Sequence, residues 1–284
     1  MTVTRPALRY HGAKFRLAPW TMQFFPPHVC YVEPYGGAAG VLLRKERSYA
    51  EVYNDLDGDI VNFFRVLRDP ATRGALIEAC SLTPYAREEF NAAYEPTDDA
   101  VERARRTAVR AAMGFGSAST TQHKSGFRSD TRRRGGTALR VWQDYPASIV
   151  MVGERFAGVL IENRPALDVM SQHDAPDTLH FVDPPYLFAT RERPKGRRYY
   201  QHEMDDAAHA VLMDRVKTLQ GMVVLCGYPS ELYDASLTGW ERHTTKTIAS
   251  GNKGSVLRNE VVWLNPACSA ALHRARGGLF VDAA

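Results

Sequence analysis

Asp183-Pro184-Pro185-Tyr186 is the run of residues best suited to do chemistry. Two consecutive prolines fix φ and remove two backbone donors, leaving a rigid turn whose carbonyls point outward. The acid before them and the aromatic after them set acceptors beside a flat stacking face. Such a set suits an aromatic amine like adenine N6, a poor nucleophile because its lone pair is delocalised into the ring. The Asp183 carboxylate and the Pro184 carbonyl would accept hydrogen bonds from its two N–H groups and localise that lone pair, while Tyr186 stacks on the base. A base inside a duplex reaches such a pocket only when flipped out of the stack. The bland alternative is a strand-ending turn with a surface acid and a packed tyrosine.

A second candidate is the loop Glu33-Pro34-Tyr35-Gly36-Gly37-Ala38-Ala39-Gly40. Small residues after a strand let a ligand approach the backbone and a helix N-terminus closely. Asp55 follows Gly37 near the ~20-residue spacing at which an acid ending the second strand bonds a ribose hydroxyl. A nucleoside-type cofactor fits this pair, although a Gly-rich turn alone is weak evidence. The N-terminal stretch Arg9-Tyr10-His11-Gly12-Ala13-Lys14 says nothing by itself and reads as a surface arm. Metal chemistry is not expected, since the histidines show no HxxxH or HxH spacing.

These residues need a scaffold that brings strand ends together. Apolar runs predict strands at 29–33, 50–53, 159–162, 179–183, 222–226, 244–248 and 260–264. A helix is expected over Ala38–Glu46, making a βαβ unit with the first two strands. From 60 to 115 the periodicity is helical, residues 116–136 read as loops or a small hairpin, and a helix runs from about Trp142 to Phe156. Further helices fit 203–219 and 230–236. The fold class is therefore α/β, a Rossmann-like doubly wound sheet with an inserted, mostly helical segment. Residues 1–59 and 159–266 form the catalytic domain, 60–158 the insertion, and 267–284 a short, loosely ordered tail.

The net charge is only +4, but it is unevenly placed. Residues 101–140 carry Arg103, Arg105, Arg106, Arg110, Lys124, Arg128, Arg132, Arg133, Arg134 and Arg140 against only Glu102 and Asp130. A second basic run, RERPKGRR, spans 191–198. Each alone reads as readily as a solvated face, but the two together favour a polyanion partner. Cys30, Cys80, Cys226 and Cys268 lie far apart and read as reduced thiols. With neither an apolar leader nor a membrane-length run, the chain reads as soluble and cytoplasmic.

RYHGAK, VEPYGGAAGVLL, VYNDLDGDI, a helical and basic middle, FVDPPY and a closing EVVWLNP occur in that order. The ordered set resembles the Dam-type (D12 class, alpha-group) DNA adenine-N6 methyltransferases, especially phage and prophage forms, from about residue 8 to 266. The resemblance implies methyl transfer from S-adenosylmethionine to adenine N6 in double-stranded DNA, in a bacterial or phage-infected cell. It implies cofactor contacts at Tyr10, Lys14, Glu33, Pro34, Tyr35, Gly37, Ala38, Asp55 and Asp183. Catalysis falls to Asp183, Pro184, Pro185 and Tyr186, and DNA contacts to Arg105, Lys124, Arg128, Arg132, Arg133 and Arg134 in the target-recognition region. Asp168 matches a polar position near the adenine ring. Two positions depart from the family pattern: Ala39 stands where the second glycine of Gly-x-Gly is common, and Tyr10 where Trp is also common. The expected partner is double-stranded DNA, with no membrane or metal, acting as a monomer or else as a weak dimer. The alternatives are an N-methyltransferase acting on RNA or protein glutamine, and a catalytically idle DNA-binding protein of the same fold.

Overall fold

A computed structural model describes residues 3–116, 125–132, 137–191, 200–251 and 254–278. Seven strands are described: β1 Cys30–Glu33, β2 Ala50–Asn54, β3 Leu160–Glu162, β4 Thr178–Val182, β5 Met222–Gly227, β6 Glu241–Gly251 and β7 Gly254–Leu264. They form one sheet in the order β3-β2-β1-β4-β5-β7-β6. β1 to β5 run parallel, and β7 joins β5 antiparallel as one arm of a long hairpin with β6. All seven expected strands exist, most within a residue or two; β6 and β7 run well beyond the short expected segments.

The apolar strands are continuous because both sheet faces are covered. Met222, Val224 and Cys226 of β5 face a core shared with Tyr31, Tyr53, Phe181, Leu264 and the middle of the chain. Val223 and Leu225 face the opposite layer with Trp263, Leu212 and Val216. The middle supplies α2 Gly58–Arg68, α3 Pro70–Leu82, α4 Arg87–Ala92, α5 Ala100–Met113, α6 Ala138–Gln143 and α7 Tyr145–Phe156. Phe63 and Phe64 of α2 are fully buried, and the Phe64 ring stacks on Phe156 at 4.2 Å. Residues of these helices thus share one continuous hydrophobic cluster with the sheet. The opposite layer holds α8 Ala166–Gln172, α9 Asp206–Thr218 and α10 Glu231–Ser236.

Three expectations change. Residues 38–46 form turns, not a helix. Ala39 takes φ 55°, in the left-handed region, and the Leu42 N–H goes to the Glu33 carboxylate at 3.1 Å instead of the carbonyl four residues back. The stretch expected as one helix from Trp142 to Phe156 divides at Asp144 into α6 and α7, with Pro146 in the first turn of the second. Residues of the expected loose tail instead form the helix α11, Pro266–Gly278. Asn265 caps it by accepting the Cys268 N–H at 2.9 Å, and Cys268 and Leu272, four apart, bury one face.

Candidate active site

In this strand order the chain changes direction between β1 and β4, and the ends of those strands open the crevice where ligands bind in such sheets. Glu33 ends β1, Asp55 follows β2 and Asp183 follows β4. All three line one cavity of about 350 Å³. Tyr10, Lys14, Pro34, Tyr35, Gly37, Ala38 and Pro185 line it as well. The structure therefore gathers every residue expected at the cofactor, from segments far apart in the chain. Pro184 is buried and Tyr186 stands beside Lys14, but neither lines the cavity itself.

The Gly-rich loop is held from below. Its Gly36 N–H donates to the Asn54 carbonyl at 2.7 Å, and the Asn54 amide donates to the Pro34 carbonyl at 2.8 Å. The 18-residue spacing from Gly37 to Asp55 becomes a direct contact: Gly37 N–H donates to Asp55 Oδ2 at 2.8 Å. Asp55 Oδ1 accepts the Asp57 N–H at 2.8 Å. Gly37 has φ 48°, and a Cβ there would fall 2.9 Å from the Tyr10 ring. At Gly40 a Cβ would stand 2.7 Å from the Phe15 backbone nitrogen, so only glycine lets the 3₁₀ turn Lys14–Arg16 come this close. That contact brings Lys14 to the strand ends.

Lys14 and Asp183 form an ion pair, Nζ to Oδ1 3.0 Å, with the lysine side chain 7% exposed and the aspartate 15%. The ammonium is thus a charged donor to the Asp183 carboxylate. The Lys14 ammonium also donates to the Tyr186 hydroxyl and lies 4.6 Å from the Tyr186 ring centroid. The Tyr186 hydroxyl in turn donates to Glu260 Oε2 at 2.8 Å. Burial raises Asp183 above the usual carboxylate range, and the Lys14 charge only partly opposes it. Burial alone would lower Lys14, but the carboxylates of Asp183 and Glu260 hold it well above its ordinary value. Burial pushes Glu33 up to about 8 and, with Asp55 beside it, Asp57 up to about 7.

Sequence reasoning missed part of the wall. Pro165, Ala166 and Leu167 after β3, and Tyr200 to Met204 before α9, also line the cavity. The second segment is tied by Tyr200 N–H to Glu203 and by the Arg191–Glu203 ion pair at 2.8 Å. Its only sequence signal is an aromatic and polar cluster just ahead of the helix cap at Asp205. Asp168 itself is exposed on α8 and does not line the cavity, although its neighbours do.

The expected DNA contacts fare differently from one another. Arg105 already meets Glu102 at 2.6 Å and Glu89 at 2.8 Å, so its charge is neutralised within the helical layer. Arg128, its side chain 11% exposed and 3.6 Å from Asp130, and exposed Arg132 line an open hollow with Arg9 and Phe115. Lys124, Arg133, Arg134 and most of the basic run 191–198 lie outside the described residues. No group of three or more His, Cys, Asp or Glu stands together for a metal ion, and no helix is long and apolar enough to cross a membrane, among the described residues.

A family model described as D12 class N6 adenine-specific DNA methyltransferase matches residues 10–239. No curated relative matches the chain. Among solved structures, precorrin 8W decarboxylase from Methanobacterium thermoautotrophicum is similar at a TM-score of 0.36 and 8% identity. That match covers 93% of this chain and 96% of that one, a likeness too weak to bear on function.

Proposed function

The chain belongs to the D12 class N6 adenine-specific DNA methyltransferases, and on that footing we propose how its residues divide the work. The class takes its methyl group from S-adenosylmethionine. When bound, that group supplies an activated methyl on a sulfonium, so the chain needs only to orient the two partners and accept hydrogen bonds. The residues present fit it: a cavity of about 350 Å³ is bordered by Glu33, Asp55 and Asp57, acids suited to a cationic ligand. Tyr10 and Lys14 complete that wall, with Pro34, Tyr35, Gly37 and Ala38 as its floor.

The single observation that carries the catalytic reading is the position of Asp183, at the end of β4 on the cavity wall beside Glu33 and Asp55 and paired with Lys14 at 3.0 Å. An amine N–H of a flipped adenine donates to the Asp183 carboxylate, and the Pro184 carbonyl takes the second N–H. Tyr186 holds the base. Drawing both N–H bonds toward acceptors leaves the N6 lone pair localised and directed at the methyl. Residues 60–158 act as the target-recognition region on double-stranded DNA, with exposed Arg132 as the described phosphate contact and Lys124, Arg128, Arg133 and Arg134 as further candidates. Arg105 braces the helical layer instead, through Glu89 and Glu102.

Asp55 tests the cofactor half of this division. Asp55→Ala removes a buried acceptor from the Gly37 N–H and from the ribose. A charged hydrogen bond contributes about 1.5–3 kcal/mol, so S-adenosylmethionine should bind about 10- to 100-fold more weakly by titration calorimetry. Unchanged affinity would undo the ribose assignment.

A further inference from the structure

Glu260 lies on β7, opposite Thr245 of β6, one residue before the apolar run that pairs with β5. It is 9% exposed. A lone carboxylate on an inner strand is costly unless it is partnered, and its partners are informative. Glu260 Oε2 accepts the Tyr186 hydroxyl at 2.8 Å and stands 3.7 Å from Lys14 Nζ. Tyr186 is further braced edge-on by Tyr228, ring centroids 4.5 Å apart. Two carboxylates, Asp183 and Glu260, therefore compete for one ammonium, with the Tyr186 hydroxyl between Lys14 and Glu260.

We propose that Glu260 is a positioning residue that sets how strongly Asp183 accepts the target amine, by sharing the Lys14 ammonium and anchoring the Tyr186 hydroxyl. The inference rests on the reading of Asp183 as the acceptor of the adenine N6 amine. Its logic is a balance of charges. Lys14 facing Asp183 alone would drain that carboxylate of acceptor strength, since a tightly paired carboxylate is a weaker base. A second acid on the same ammonium leaves Asp183 more basic. The Tyr186 anchor acts on geometry, holding the ring and the turn 183–186 at a fixed distance from β7.

The groups facing Asp183 define what else titrates nearby. They are Lys14, Glu260 and Tyr186, with Glu33 at the end of β1, Cys226 on β5, Tyr233 on α10, and Tyr200 and Tyr228 on adjoining loops. Burial raises Cys226 and all four tyrosines above their ordinary values, so they stay neutral across the working range. Glu33, pushed up to about 8 chiefly by burial and further by the Asp183 charge, carries no label when only aspartate is labelled, so it does not obscure the Asp183 signal. The Glu260 charge raises Asp183, so removing it moves Asp183 down in pH.

Glu260→Gln separates charge from shape, because the amide oxygen still accepts from Tyr186. In protein carrying carboxyl-¹³C aspartate, the Asp183 resonance is the one lost in Asp183→Asn. Its titration midpoint should fall by about one pH unit in Glu260→Gln. The single-turnover methylation rate should drop about tenfold, with cofactor affinity by calorimetry within twofold of wild type. Glu260→Asp, which keeps the charge, should leave the midpoint near its wild-type position, and it serves also if the Gln variant fails to fold. An unmoved midpoint in Gln, or a midpoint moved equally by Asp, would overturn the role of Glu260. A merely structural residue would lower stability and rate without moving that midpoint. An active Asp183→Ala, in contrast, would sink the underlying reading whatever Glu260 does.

Discussion

Asp183→Ala should lose methyl transfer by about 10³-fold or more, while S-adenosylmethionine and DNA still bind. Removing one preorganised group aimed at the reacting atom typically costs 10²–10³ in rate, and here the same carboxylate also localises the lone pair. Lys14 keeps Glu260 as a counter-charge at 3.7 Å, so the deletion does not strand a buried ammonium and the fold should survive. Asp183→Asn keeps the volume and one acceptor oxygen, and its rate should fall between alanine and wild type. Single-turnover methylation, with calorimetry and DNA binding alongside, checks all three. A rapid Asp183→Ala enzyme would remove this residue from the chemistry.

The second large effect belongs to Lys14. Lys14→Met leaves Asp183 and Glu260 buried around Tyr186 with no counter-charge, and removing one partner of a buried pair costs about 3–5 kcal/mol. Burial already raises Asp183, and Lys14 is the main charge opposing that rise. Without it the carboxyl moves further up, is more often protonated at a given pH and accepts the amine less well. The rate at pH 7 should drop roughly 10²-fold and recover partly as pH rises, the opposite direction to Glu260→Gln. Stability gives an independent sign. A carboxyl raised in the folded state loses its stabilising proton as pH climbs, so the loss in Tm should grow toward alkaline pH. A rate deficit independent of pH would contradict this account of Lys14.

Much of this site is legible in the chain because its chemistry sits where strands end. Leu179–Val182 and Cys30–Val32 are apolar enough to be strands, and the acid after each marks a sheet edge. The spacing from Gly37 to Asp55 carries geometry as well, realised in one hydrogen bond. What stayed hidden has physical reasons. Residues 38–46 have helical composition, but the Glu33 carboxylate captures Leu42 N–H and Ala39 turns left-handed, so a tertiary contact overrides propensity. Ala39 thus adopts the backbone conformation that glycine takes more easily, at the place where the family pattern shows a second glycine. Glu260 gives no local signal, since its partner Tyr186 lies 74 residues away. Arg105 looks like its basic neighbours in sequence, and only the fold reveals Glu89 within reach.

The most direct test of the central claim is to express the chain in a host lacking adenine methylation and to read its DNA by single-molecule sequencing. The wild-type protein should place N6-methyladenine at one short recurring sequence, and Asp183→Ala should leave the DNA unmodified. DNA free of N6-methyladenine, despite wild-type protein that binds S-adenosylmethionine, would contradict the assignment of these residues to adenine methylation.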